Sequence, residues 1–270
     1  MLTRLIGILG AVTLAIGVAL TPAHAKSKRE KAEELVVKAA DTVAYFAGDP
    51  AYEPLWDTAD NAKAMVIVPR SLRGGFIFGA SGGNAIMIAR NEDGSWSEPT
   101  FFTIGSLSFG LQIGGEMSES ILLVMTNRGM EQLLSTNVKL GADVSLAAGP
   151  VGGGAKAQTT DILAFSRSRG LYGGLSLEGA LLKARHSWNR GYYGGDVTPV
   201  DIIYRGRASR PQSATLQNAV WALAHRNEPA LIAPVQPTQL DPVTGEPLPA
   251  EPIYEDDAVY GAPLEPIDDQ

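Results

Sequence analysis

Ser81 lies at the centre of "GASGG", residues 79–83, which fits the G-x-S-x-G pattern of a serine nucleophile on a sharp strand-to-helix turn. That chemistry requires a helix after the serine, then an acid and a histidine further on. The next residues, "NAIMIAR", have the composition of a strand, and His186 and His225 stand among arginines and asparagines. A second candidate, "GPVGGGAK" at 149–156, approaches a phosphate loop. It places Ala155 between the last glycine and Lys156, and Ala157 where a serine or threonine would hold magnesium. With no cysteine in the chain, thiolate nucleophiles, disulfides and Cys-bound metals are excluded. Asp93, Asp143, Asp161 and Asp196 lack calcium-loop spacing. The expectation is a protein without catalytic residues, metal or cofactor.

The residue types that remain are cations. "KSKREK" at 26–31, "KARHSWNR" at 183–190 and "RGRASR" at 205–210 each combine several, the first beside an amphipathic run and the second beside a tryptophan. Such clusters suit anionic lipid head groups, at about 1 kcal/mol per cation near the surface; a solvated protein surface has the same composition. The formal net charge of −7 does not oppose this. From Pro229 onward there are nine acidic residues and no lysine or arginine, whereas 26–228 hold 21 basic and 20 acidic side chains. The near-neutral body offers no overall field for nucleic acid.

The elements that must position these cations emerge from pattern. Arg4, the apolar run from Leu5 to Leu20 and Ala23-His24-Ala25 have the form of a secretory signal peptide over 1–25, which predicts an exported protein, periplasmic or secreted. "KSKREKAEELVVKAADTVAYFAGDP" predicts an amphipathic helix, with Leu35, Val36, Ala39, Val43, Phe46 and Ala47 at three- and four-residue spacing and Gly48 and Pro50 at its end. That apolar stripe fits either a core or a membrane surface. "PLWDTADNAKA" predicts a second short helix. From Met65 to Ile203, short apolar runs cut by glycine predict antiparallel strands, interrupted by a helix over 127–135. Glycine inside strands weakens them and makes sense where a sheet curves sharply or another backbone comes close. "SATLQNAVWALAHRN" predicts a closing helix. The fold class expected is α+β, a strongly curved, Gly-rich antiparallel sheet or barrel-like core between an N-terminal and a C-terminal helix. One domain spans 26–228, and nine prolines with nine acids predict a disordered tail over 229–270.

"GSWSEPTFF", "FGLQIGGE", "LGADVSLAAGPVGG", "SRSRGLYGGLSLEG" and "NRGYYG", in that order, resemble the SYLF family, also called the Ysc84 actin-binding domain family. The resemblance runs from about Glu34 to Ile203. It implies a lipid-binding domain whose eukaryotic relatives bind phosphoinositides and other anionic lipids, and whose fungal forms bind actin. It implies that Ser166, Arg167, Ser168, Gly170, Leu171, Gly174, Glu178 and Gly179 form a signature hairpin and Asn189, Tyr192, Tyr193 and Gly194 the loop after it, in structural roles. It also implies that a basic N-terminal helix meets the lipid.

The expected function is therefore non-enzymatic binding of anionic phospholipid at a membrane surface of the cell envelope. The residues expected to carry it are Lys28, Arg29, Lys31 and Lys38 on the helix, with Lys183, Arg185 and Arg190. The alternative is a periplasmic scaffold that engages a protein partner through its core or its acidic, proline-rich tail.

Overall fold

The computed structural model describes residues 26–75, 78–109, 114–135, 137–149, 160–170, 177 and 179–226. The segment 1–25 with its signal-peptide pattern, the glycine-rich 150–156, the signature positions Leu171, Gly174 and Glu178, and the tail 229–270 lie outside them.

Helix α1 spans Lys28–Gly48. It starts on a capping box, in which Ser27 Oγ accepts from the Glu30 N–H at 3.1 Å and the Glu30 carboxylate accepts from the Ser27 N–H at 2.7 Å. Ala32, Leu35, Val36, Ala39, Val43 and Phe46 are buried, so one stripe of the helix faces the core. Asp49 ends it by capping the 3-10 turn Pro50–Tyr52, and α2, Glu53–Ala59, comes next.

Among the described residues the strands are β1 (Ala64–Gly75), β2 (Phe78–Ala89), β3 (Thr100–Phe109), β4 (Gly114–Val124), β5 (Asn137–Lys139), β6 (Leu146–Ala148), β7 (Ile162–Gly170) and β8 (Leu181–Ala184). They form one sheet in the order β5-β8-β3-β2-β1-β4-β7-β6. Every pairing is antiparallel except β6 with β7. The remaining helices are α3 (Asn127–Leu133), α4 (His186–Tyr193), α5 (Pro199–Ile203) and α6 (Ala214–Ala224).

Chain connectivity forces the sheet to curl. β5 and β6 are its two edges, which in a flat sheet of eight strands would stand roughly 33 Å apart. Only residues 140–145 join them, a reach of at most about 25 Å, and Leu140 bridges Val144 within that link. The concave face is filled with side chains. Val66, Met87, Phe102, Leu122 and Leu182 from five strands meet Met130 and Leu133 of α3, with Val138 of β5 in the same cluster. The convex face carries Ile67, Ile86, Phe101, Ile121 and Leu163 under α1, α2, α4 and α6. Strand alternation separates the two sets, and Ala64 to Val68 of the central strand are fully buried.

Pro69 interrupts that strand. It lacks an N–H to give a neighbour on either side, which confines proline in a central strand to a bulge. The pairing Ile67 with Ile86 is succeeded by Arg70 with Asn84, three residues against two, and the register to β4 shifts at the same place. Across from the bulge sits Gly83, where an added Cβ would fall onto the Arg70 carbonyl oxygen. Gly83→Ala is expected to destabilise the domain by about 1–3 kcal/mol. Gly74→Ala, with open space around its Cβ, is expected to stay within about 0.5 kcal/mol of wild type. Equal urea midpoints for the two variants would refute the close approach.

The signature hairpin falls largely outside the described residues; of the strands that flank it, β7 pairs with β4 and β6, and β8 with β3 and β5. One expectation needs correction: Asn189, Tyr192 and Tyr193 do not lie on a loop. They belong to α4, which Gly194 ends in the left-handed conformation at φ 77°. Burial of Trp188 and Tyr192 one turn apart holds this eight-residue helix.

Candidate functional surface

The apolar stripe of α1 is committed to the core, so what the helix offers outward is charge. Lys28, Arg29, Lys31 and Lys38 are all exposed. Arg29 pairs with Glu33 at 3.0 Å, while Glu34 takes Lys26 at 2.8 Å and Lys38 at 2.7 Å. These two lysines, Lys26 first, hold the Glu34 carboxyl at about 2. Exposed pairs of this kind are worth little and can be exchanged for another anion.

The three basic clusters partly converge at the start of α1. Gly191 of α4 lets the helices touch, since a Cβ there would come within 3.1 Å of Lys28 Cβ. Arg190, the preceding residue, is exposed and pairs with Asp196 at 2.9 Å. From the third cluster Arg210 reaches Glu33 at 2.8 Å, while Arg205 and Arg207 turn to Asp201, whose carboxyl is held low by Thr198 and Arg205. Lys28, Arg29, Lys31 and Arg190 thus share one exposed corner, with the largely buried Arg210 beneath it on Glu33 and over Tyr192.

Beneath that corner lies a polar clamp. Glu98 accepts from Ser209 Oγ and the Arg210 N–H, both at 3.2 Å, and from Ser213 Oγ. The Tyr192 hydroxyl meets Ser213 Oγ at 3.1 Å, and Tyr193 donates to the Pro99 carbonyl at 2.6 Å. Burial raises the pKa of both phenols, so they remain protonated. Asn189, fully buried, accepts the Phe101 N–H at 2.9 Å. These residues join α4 to β3 and to the segment before α6.

Lys38, Lys183 and Arg185 lie elsewhere. Lys38 lines a pocket of about 260 Å³ with Asp41, Arg70, Met117, Glu119 and Arg167, where α1 crosses the bulge. Arg167 stacks on the Tyr45 ring at 3.4 Å and pairs with Glu119 at 2.7 Å. On the opposite face of β7, Ser166 Oγ meets Ser120 Oγ at 2.8 Å; Ser168 alternates with Arg167 along the same strand, Gly170 ends it, and Gly179 turns the chain before β8 at φ 77°. Lys183 and Arg185 stand on and just after β8, with Arg185 stacked on Trp188 at 3.9 Å and bonded to Asn84. Sequence patterning does not single out Arg70, whose only cue is its place after a proline in an apolar run.

Ser81 sits within β2 with its hydroxyl on Ser106 Oγ at 2.7 Å, in a strand rather than at a turn into a helix. Among the described residues no three His, Asp or Glu side chains gather as metal ligands, and no helix is long and apolar enough to cross a membrane.

Comparison with known proteins agrees with this domain. The family model described as Ysc84, Las17-binding protein actin regulator, matches residues 105–223. SH3 domain-containing YSC84-like protein 1 of Homo sapiens is 31% identical over 202 residues, covering 72% of this chain and 57% of the human protein. LAS seventeen-binding protein 3 of Saccharomyces cerevisiae is 29% identical over 198 residues, 70% of this chain and 42% of the yeast protein. Protein YSC84 of the same yeast is 28% identical over 201 residues, 72% of this chain and 42% of its own length. The chain spans about half the length of the curated relatives it matches. No solved structure matches it. With the motifs in order along the curled sheet and its flanking helices, the chain belongs to the Ysc84 (SYLF) family.

Proposed function

We propose that this domain is a non-enzymatic binding module that attaches an exported protein to anionic phospholipid at a membrane surface of the cell envelope. The observation that supports it is the convergence of the exposed Lys28, Arg29, Lys31 and Arg190, from two separate basic clusters, on one corner. Because α1 keeps its apolar stripe in the core, its part in the attachment is electrostatic rather than insertion of the helix.

Electrostatic attachment is sensitive to salt, since the Debye length shrinks from about 30 Å at 0.01 M to about 8 Å at 0.15 M. In co-sedimentation, residues 26–270 are expected to pellet with vesicles containing phosphatidylglycerol, to be released by salt, and to ignore pure phosphatidylcholine. Lys28→Glu with Lys31→Glu is expected to weaken binding at least tenfold, each lysine contributing about 1 kcal/mol. Equal binding to neutral vesicles, or none to either kind, would refute the proposal.

A second reading is favoured by the relatives' names, which describe one as a LAS seventeen-binding protein and the family as actin regulators. In it the domain is a protein-binding scaffold whose acidic, proline-rich segment 229–270 engages the partner. Pull-downs with and without that segment test it, and identical partner sets would remove the segment from consideration.

A further inference from the structure

Strand register sorts the helix-side face of the sheet into successive rows. Nearest the centre, Ile121, Ile67, Ile86 and Phe101 are aligned and lie under the helices. The next row runs Arg70, Asn84, Thr103 and Lys183 across β1, β2, β3 and β8, continued on the other side of the bulge by Glu119 and Arg167. Beyond it comes Met117, Leu72, Gly82, Gly105 and Leu181. The outermost row is Gly115, Gly74, Ala80 and Leu107. Outside the helix layer the face thus passes from a basic polar belt to two rows of leucine, methionine, alanine and glycine. Leu107 is 90% exposed, Leu72 49% and Leu181 44%. The opposite face of the same strand ends carries Ser71, Ser81, Ser106 and Ser118 instead, with Arg73 of β1 in register with Glu116 of β4.

We infer that these strand ends are the part of the molecule that enters the bilayer. The Arg70–Lys183 row lies level with the lipid phosphates, and Leu72, Leu181 and Leu107 lie at the acyl boundary beneath. Successive rows on one face are about 7 Å apart, which sets the leucines about 7 and 13 Å beyond the belt, comparable to the 5–10 Å to which an interfacial amphipathic element is buried. Charge complementarity selects an anionic lipid surface as the occupant. Arg70 and Lys183 are exposed and form no ion pair among the described residues, and a second copy laid on the same face would oppose its cations to theirs. Among the described residues, the side chains between the leucines on this face are small: Gly82, Gly105, Gly74 and Ala80.

The inference rests on the lipid-binding reading but assigns the inserting element to the sheet rather than to α1. Absence of cysteine makes the test direct. Leu107→Cys and, on the exposed face of α1, Val37→Cys are each made in the full mature chain and labelled with an environment-sensitive dye. On vesicles of phosphatidylglycerol and phosphatidylcholine the dye at position 107 is expected to shift to the blue and that at 37 to stay aqueous. Leu72→Asn with Leu107→Asn is expected to weaken vesicle binding roughly tenfold or more, and Arg70→Glu to weaken binding to the phosphatidylglycerol vesicles severalfold. Wild-type protein that pellets while the dye at 107 remains aqueous and the asparagine variant binds normally would overturn this assignment and leave the lipid reading intact. Wild-type protein that pellets with no vesicle would overturn both.

Discussion

Replacing Tyr192 by alanine is expected to cost about 3–5 kcal/mol of folding stability, the range for removing a large buried aromatic ring. The ring is fully buried. It lies 5.0 Å from Phe101 and 4.9 Å from Tyr193, both edge-on, with the Arg210 guanidinium 5.2 Å from its centre. These neighbours belong to the sheet, to α4 and to the segment before α6, so no single element can move to close the space. Tyr192→Phe keeps the ring and loses only the bond to Ser213 Oγ; that serine retains Glu98 as its acceptor, which limits the expected cost to about 0.5–1.5 kcal/mol. Urea unfolding monitored by circular dichroism measures both. An alanine variant with the wild-type midpoint would show that the ring supports nothing. The phenylalanine variant should bind vesicles like wild type, which separates the clamp from the surface above it.

The sequence around α1 and α4 shows where pattern reaches its limit. In α1 the three- and four-residue spacing from Leu35 to Ala47 marks the buried stripe and Gly48 with Pro50 its end, and the helix lies where they predict; the capping box at Ser27 and Glu30 fixes its start. What the pattern leaves open is the occupant of the stripe, because a hydrophobic core and a lipid surface ask for the same residues. Packing decides, since Leu35, Val36 and Val43 meet Ile67, Ile86 and Ile121 in one cluster. Curvature is foreshadowed by glycine within strands, and at Gly83 the reason is the bulge opposite. α4 escapes notice because it is short, includes Gly191 and has only Trp188 and Tyr192 to suggest a face. Consecutive strands usually pair, but β8 joins β3, a partner more than seventy residues back. The basic belt is hidden for the same reason. Arg70 and Lys183 stand in one row only once three strand registers are known, and no local spacing relates them.

Arg167→Met is expected to cost about 1.5–3 kcal/mol, the range for hydrogen bonds to charged groups. Arg167 gives both Nε, at 3.0 Å, and Nη2, at 2.7 Å, to one oxygen of Glu119, while its plane lies on Tyr45 of α1. The two side chains are 19% and 22% exposed, so the loss should fall below the 3–5 kcal/mol of a fully buried pair broken on one side. It should also survive salt that abolishes the Arg29–Glu33 and Lys38–Glu34 pairs. Arg167→Lys tests the geometry, because it keeps the charge but cannot supply two donors and a flat face together; less than half of the loss should be recovered. Glu119→Gln alone and combined with Arg167→Met completes a thermodynamic cycle, and a coupling near zero would reduce the pair to a surface contact. A coupling of about 1 kcal/mol or more would mean that the signature arginine ties α1 across β7 to β4. The tie leaves Arg70 as the cation of that pocket free to meet an external anion, and Arg167→Met should lower stability more than it lowers vesicle binding.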